Sequence, residues 1–568
     1  MRVSVQKSKN YTFLYIVKDF YSNGKRTTKI VEKLGTMDSL RETLNKSEEE
    51  VLAWARNQAL IKTNEEKEKE KKIVVSLNAN SLIPINEERS FNCGYLFLQS
   101  ILYKLKINNT FRNISSRYKC EYSLESIFTD LIYSRVLSPS SKRSSYEFSK
   151  TLLEAPKYEL EDVYRALSIF SKESDTILKD LYRNSNFIHK RNTSSLYYDC
   201  TNYYFEIEDE EGYKRYGKSK EHRPNPIIGM GLFMDGDGIP LSYSIYPGNQ
   251  NEQVTLKPLE KKIIKDFDLS KFIYCSDAGL ASVSNKKFNS FGNRAYIITQ
   301  SLKKLRQEDK ELALDKTRFK NINNQSLKLD LDNVNEDELY YQELPLDKTI
   351  NERLIITYSP KYAAYQKNIR KKQIERATAM ISKNGKVKKE RRNPNDPSRF
   401  IKTISTNTNG EKIETTHELN EELINEESKY DGFYAITTNL EDDDVSKIIA
   451  ISERRWQIEE CFRIMKTDFK ARPVYLQRED RINAHFLTCF TSLLVIRLLE
   501  ILTENKYTIN QLLTTIRTMN LTNTGYGHYI PAYKRTNITD DLHNIFKYRT
   551  DYEIITGKTL KTIIKESK

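Results

Sequence analysis

Three carboxylates define the chemistry this sequence can offer. Asp199 lies inside a tyrosine-rich run, YYDCT, and Asp277 closes another apolar run, YCSDAG. Glu459 stands in ERRWQIEECFRIMK, residues 453–466, among Arg455, Arg463 and Lys466. At helical spacing these four charges share a strip roughly 80° wide, with Ile451 and Phe462 on one side and Trp456 on the other. An unpaired charge among apolar groups is expensive. The strip is therefore either a structural ion-pair network or a face that meets something outside the helix. Three carboxylates that converge repel one another unless cations lie between them. Mg²⁺ or Mn²⁺, hard ions with oxygen ligands, suit such a set. Two such ions about 4 Å apart can activate an attacking oxygen and stabilise a leaving one in phosphodiester chemistry. Taken singly, each residue has a plainer reading: an edge Asp, a turn Asp and a solvated Glu.

To bring them together the chain must place two strand ends beneath one helix. Runs at 195–206, 226–235, 240–248, 271–277 and 294–300 read as strands, with helices at 251–267 and 281–291 before the last two. The order β-β-β-α-β-α-β implies an α/β core, a mixed sheet with helices on both faces. If the fourth strand pairs beside the first, Asp199 and Asp277 project from neighbouring positions, and a helix over 444–468 can carry Glu459 to them. A charged segment interrupts this core at 305–428; its stretch 365–392 is rich in Lys and Arg, and a second Asn-Gly turn follows at Asn409-Gly410. The strand GFYAITT, 432–438, and the helix resume the core.

The remaining chain divides by periodicity. Residues 1–72 read as a hairpin about Asn23-Gly24 followed by helix. Residues 73–190 read as a helical region with segments near 94–106, 123–136, 141–154, 160–170 and 173–184, a candidate DNA-binding domain or a plain scaffold. There SPSSKRSSYEFSK puts small polar residues and cations at a helix start, which suits phosphate contacts. The core then falls in two parts, 194–304 and 429–518, around the 305–428 segment, and a basic tail of mixed loop and helix covers 519–568.

Bulk properties narrow the partner. The 568-residue chain carries 92 Lys and Arg against 78 Asp and Glu, a net charge of +14. This favours a polyanion, nucleic acid before membrane, although a Lys-rich proteome would raise any pI. Six scattered Cys form no CxxC or zinc spacing, which fits a reducing cytoplasm better than a disulfide framework. The apolar run 486–502 holds Thr, Arg497 and Glu500 and reads as a buried core helix rather than a membrane span. The basic loop KSKEHRPN offers Lys218, Lys220 and Arg223 to a phosphate backbone, with His222 read as an ordinary loop residue. Trp456 is read as core, with base stacking the rival. His485 is read as a core or capping residue, and Cys200 and Cys275 as small core residues.

These residues carry a resemblance. The chain resembles the bacterial insertion-sequence DDE transposases with a ribonuclease H-like core, in the class with a Y-x2-R-x3-E-x6-K signature and an insertion before the catalytic helix. Arg455, Glu459 and Lys466 stand at those spacings, whereas Ser452 occupies the tyrosine position, so that residue's phosphate or base contact is not carried over. Stretches 216–252 and 472–490 and the hairpin ending EKLG resemble the same class. The resemblance implies Asp199, Asp277 and Glu459 as a metal-binding catalytic triad holding two Mg²⁺ or Mn²⁺. It implies Arg455 and Lys466 as DNA-phosphate contacts, to which the residue reading adds Arg463, Lys218, Lys220 and Arg223. It further implies terminal inverted repeats and target DNA as partners, a homodimer on paired ends, no membrane, and action at the nucleoid. A hydrolytic nuclease of the same fold and a catalytically inactive DNA-binding protein are the rival readings.

Overall fold

The computed structural model describes the chain apart from residues 9–10, 23–24, 70–72, 74, 76–77, 325–328, 330–334, 348, 383–394, 409–411 and 442. The expected turns at Asn23-Gly24 and Asn409-Gly410 lie outside the described residues. The chain forms two compact units, Met1–Glu87 and Glu88–Lys568.

The larger unit is a mixed α/β structure built on one nine-stranded sheet. Its strands, numbered along the chain, are β1 (Ser195–Tyr204), β2 (Ile227–Asp235), β3 (Pro240–Pro247), β4 (Phe272–Ser276), β5 (Arg294–Thr299), β6 (Lys320–Asn321), β7 (Tyr340–Asp347), β8 (Glu352–Tyr358) and β9 (Phe433–Thr438). They lie in the order β6-β7-β8-β9-β5-β4-β1-β2-β3. β1 pairs antiparallel with β2 and parallel with β4, and β4 runs parallel with β5. The five expected strands are present within two residues of the expected ends, and β4 does lie beside β1.

Burial on both faces explains why these strands read as continuous apolar runs. Successive residues alternate between two cores. Leu196, Tyr198 and Cys200 pack with Leu256, Leu259 and Ile263 of the Leu256–Phe267 helix. Tyr197 and Tyr203 face the other way, into a core with Ile458, Phe462 and Phe486. Asp199 shares that second face by period two, and so does Asp277, two residues beyond Cys275.

The 305–428 segment adds to this sheet. β7 and β8 form an antiparallel pair, and β8 pairs with β9, which closes onto β5. Beyond β8 come the helix Pro360–Ser382 and a two-stranded ribbon, Ile401–Thr408 with Lys412–Leu419, outside the main sheet.

Residues 95–188 are helical, as their patterning suggests, with an additional helix at Ile107–Ser115. They pack around Glu479–Leu502. That helix is long and apolar enough to cross a membrane, but it is mostly buried inside the molecule. Lys142, expected at a phosphate-binding helix start, is instead only 4 % exposed, so this start does not offer it to solvent. The tail holds two helices, Asn537–Phe546 and Gly557–Glu566, and three short strands that join Ser90–Asn92 in a four-stranded sheet.

In the smaller unit, Thr12–Ser22 and Lys25–Thr36 pair antiparallel, and a third strand, Arg2–Lys7, lies beside the first of them. Thr36 caps the helix Met37–Leu44 by accepting from the Ser39 N–H. Leu14, Met37 and Val51 form its small core.

Candidate active site

β1 and β4 run in register, with Tyr197 opposite Cys275 and Tyr198 opposite Ser276. Continued by one residue, that register sets Asp199 beside Asp277, at the ~4.8 Å spacing of neighbouring strands. β4 ends at Ser276, and Asp277 turns the chain by accepting from the Ala278 N–H at 2.8 Å. Asp199 likewise accepts from the Cys200 N–H at 2.7 Å.

Glu459 reaches this strand end from above. Its helix is not the continuous 444–468 element expected. One helix runs Val445–Glu453 and a second Trp456–Arg463, with a turn between them, and Ile464–Asp468 forms a π-helical turn. The first helix is tied to β1, where the Tyr197 hydroxyl donates to the Ile451 carbonyl at 2.8 Å. The second buries Ile458, Cys461 and Phe462. Arg517 donates to the Asp468 carbonyl at 2.9 Å and Arg135 to the Phe469 carbonyl at 3.0 Å, so two distant arginines satisfy carbonyls that a regular helix end would leave open.

Arg455 links the carboxylates. Its Nη1 is 3.4 Å from Asp277 and 3.9 Å from Glu459. Its Nε is buried with no partner among the described residues, leaving the guanidinium fork incompletely used. Burial pushes Asp199 up to about 6, with Asp277 adding to the rise, against Lys220, the Cys200 N–H and Arg455.

Lys466 is largely buried. Burial pushes it down to about 8, and Lys220 lowers it further while Asp199 opposes. It lies 3.6 Å from Glu221 and 5.6 Å from the Tyr203 ring centre. Glu221, a residue of the basic loop, also pairs with Arg472 and lies 3.8 Å from Arg223. Lys220 donates to the Cys200 carbonyl, next to Asp199, and lies 3.3 Å from Glu252. Lys218 is exposed, as is His222, whose φ is +56°.

The structure therefore brings Asp199, Asp277, Glu459, Arg455, Lys466 and Lys220 to one locus, with Arg223 and Lys218 in the loop beside it. Arg463 does not join them: it faces Glu460 at 3.7 Å and Asp468 at 3.0 Å. Arg463 shares the helix Trp456–Arg463 with Glu459, but its side chain is drawn to Glu460 and Asp468 instead. Glu221 and Arg472 were not found by sequence reasoning, because an acidic residue in a basic loop carries no signal of its own. Trp456, read as core, is 58 % exposed. With Tyr362 and Tyr434 it lines a 320 Å³ cavity that also reaches Ser452, Arg455 and Glu459.

The donor set of Asp199, Asp277 and Glu459 is all carboxylate oxygen, which fits a hard divalent cation. These three are not drawn together as tightly as metal ligands, and Arg455 stands between two of them. The tightest trio of ligand-type groups among the described residues, Asp540, His543 and Asp551 within 4.8 Å, is elsewhere, and Arg549 already pairs with both of its carboxylates.

A family model described as "Transposase DDE domain" matches residues 205–495. Asp277 and Glu459 lie inside that span and Asp199 just before it. A search of curated proteins returned no match. Among solved structures, a piggyBac transposase synaptic complex with hairpin DNA is similar at 9% identity and a TM-score of 0.34, over 84% of each chain. A Mos1 transposase paired-end complex with the left transposon end is similar at 13% identity and a TM-score of 0.13, over 43% of this chain and 64% of that one. Both scores are too low to speak for a shared fold.

Proposed function

We propose a function from the premise that this chain belongs to the DDE-domain transposase family: it cuts the ends of a mobile DNA element and joins them to target DNA. In the first step water attacks the phosphodiester at the element end, and the 3′-oxygen leaves as a hydroxyl. In the second, that hydroxyl forms a new P–O bond in target DNA while the target's own 3′-oxygen departs. Neither step needs a covalent enzyme intermediate.

The observation that carries this reading is that Arg455 stands between Asp277 and Glu459, with Asp199 beside Asp277 in register and Lys466 and Lys220 alongside. Asp199, Asp277 and Glu459 would hold Mg²⁺ or Mn²⁺, which when bound supplies Lewis-acid stabilisation of charge on the reacting phosphate. Arg455, whose outer guanidinium nitrogen Nη1 lies beside Asp277 and Glu459, is suited to meet a phosphate oxygen, and Lys466 to act as a point charge beside it. Lys218, Lys220 and Arg223 would follow the backbone on the loop side. Trp456 offers an exposed face on which a base can stack.

The order β3-β2-β1-β4-β5, with β1, β4 and β5 parallel, supports reading the core as ribonuclease H-like. The Arg455, Glu459 and Lys466 spacings support the bacterial insertion-sequence class. We read the working form as a homodimer on paired ends, acting at the nucleoid. The test is incubation with labelled duplex carrying the element's own terminal repeat, unlabelled target DNA and Mg²⁺. Joined products support the transposase reading. Cleavage without joining favours a nuclease of the same fold, and specific binding without cleavage favours an inactive DNA-binding protein.

A further inference from the structure

The helical region holds a second cavity, of 400 Å³, that shares no residue with the candidate active site. Its walls include Tyr95, Tyr133 and Tyr158 and the carboxylates Glu125, Asp130 and Glu154. The Tyr95 and Tyr133 rings are 5.2 Å apart and tilted by 53°. Tyr95 is 1 % exposed, and its hydroxyl is buried with no partner among the described residues. After burial, the carboxylate of Glu154 and then that of Asp130 are among the groups that raise this phenol's pKa, so the hydroxyl lies in their field. Asp130, 8 % exposed, accepts from the Tyr158 hydroxyl at 2.8 Å. Burial pushes its carboxyl up to about 7, and Glu154 adds to the rise against the hydrogen bond from Tyr158. Glu154 accepts from the Gln99 amide at 2.9 Å and from the Lys568 ammonium at 2.7 Å.

This lining matches one kind of ligand. Tyrosine faces attract cations within about 6 Å of the ring centre and pack against methylenes. Four carboxylates, the three named and Glu121, outnumber the two lysines in the wall. At the rim Lys568 already sets a primary ammonium on Glu154, the two side chains being 37 % and 36 % exposed, and a ligand amine would take its place. The volume lies in the ~300–1,000 Å³ range of small-molecule sites. An anion would meet the carboxylates. A bare metal ion would leave the aromatic walls without a role.

We propose that this cavity binds a linear diamine or polyamine. One primary ammonium would sit between Glu154 and the Tyr95 oxygen, which then accepts the hydrogen bond it lacks. The methylene chain would lie along the tyrosine rings, and a second amine would meet Glu125 near Asp130. Nothing in the phosphodiester chemistry requires this site.

The test is calorimetric titration of the full-length protein with spermidine and with putrescine at fixed ionic strength. Mg²⁺ serves as the control cation, and wild type is compared with Tyr95→Phe and Glu154→Gln. We expect saturable one-site binding by wild type, weakened at least tenfold in Glu154→Gln and about fivefold in Tyr95→Phe. Tyr95→Phe keeps the ring and decides the matter if Glu154→Gln does not fold. The proposal is overturned if neither amine saturates a site, if Mg²⁺ competes at equal concentration, or if the variants bind as wild type does.

Discussion

Glu221 is the acidic residue among the cations assigned to DNA, and its removal is a sharp perturbation. It pairs with Arg472 and lies 3.6 Å from Lys466 and 3.8 Å from Arg223. The Glu221 side chain is 25 % exposed and those of Lys466 and Arg472 are 14 % and 23 % exposed, so these contacts are only partly screened by water. If these cations receive a DNA phosphate, Glu221 occupies the phosphate's place when DNA is absent and repels it when DNA arrives. Two unit charges ~6 Å apart at an effective dielectric of about 40 interact by about 1.4 kcal/mol. We therefore expect Glu221→Gln to tighten duplex binding about tenfold near 0.1 M salt. The plot of log affinity against log salt should steepen by about one, since one more protein cation then displaces a counterion from DNA. Fluorescence anisotropy with duplex from the element end, run without divalent metal at several salt concentrations, measures both quantities. Unchanged or weaker binding with an unchanged slope would show that Lys466, Arg472 and Arg223 do not contact the backbone.

Four further outcomes follow from the geometry. Arg455→Ala should slow cleavage roughly 10²-fold, the scale of losing one well-placed donor to the reacting phosphate. Arg463→Ala, paired away from the site with Glu460 and Asp468, should stay within about threefold of wild type in the same single-turnover assay. Trp456→Ala should cost ~1–3 kcal/mol in binding an element end with unpaired terminal bases and much less with a fully paired duplex, by the usual worth of base stacking; equal losses on both would return Trp456 to a packing role. Glu260 is fully buried beside Asn289, and burial pushes it up to about 7. Because its folded pKa lies above the unfolded one, folding favours the protonated form; that contribution is full below about 4.5 and is lost as pH rises through about 7. Glu260→Gln should accordingly raise the melting temperature at pH 8, by a gain on the order of 2–3 kcal/mol, and leave it unchanged near pH 4; a gain independent of pH would contradict the assignment.

Much of the candidate site's geometry was legible because it depends on local patterning. β1 and β4 are short apolar runs with clear boundaries, and period two alone puts Asp199 with Tyr197 and Asp277 with Cys275. The pairing of β1 with β4 was foreseeable from the order of elements. What the sequence hid depends on distant partners. The π turn at Ile464–Asp468 is held by Arg135 and Arg517, which lie hundreds and tens of residues away. A helical wheel drawn on 453–466 puts Arg463 beside Glu459 on one helix, as the structure does, but it does not show that the Arg463 side chain turns to Glu460 and Asp468. The 305–428 segment, read only as a charged interruption of the core, contains β7 and β8, and β8 adds to the sheet through β9, a pairing no local signal announces. The buried pair of Arg191 with Asp235, 2.5 Å apart at the end of β2, was equally invisible, because each residue alone looks like a surface charge.

The most direct measurement is single-turnover cleavage of a labelled duplex bearing the element's terminal repeat, in Mg²⁺ and in EDTA, by wild type and by Asp199→Ala. Anisotropy and thermal melting on the same preparations confirm that both bind DNA and fold. We expect wild type to cut at the repeat boundary only with metal, and Asp199→Ala to bind equally but cut on the order of 10³-fold more slowly or not at all. Cleavage by Asp199→Ala at the wild-type rate, or cleavage by wild type in EDTA, would contradict a metal-binding site built on Asp199, Asp277 and Glu459.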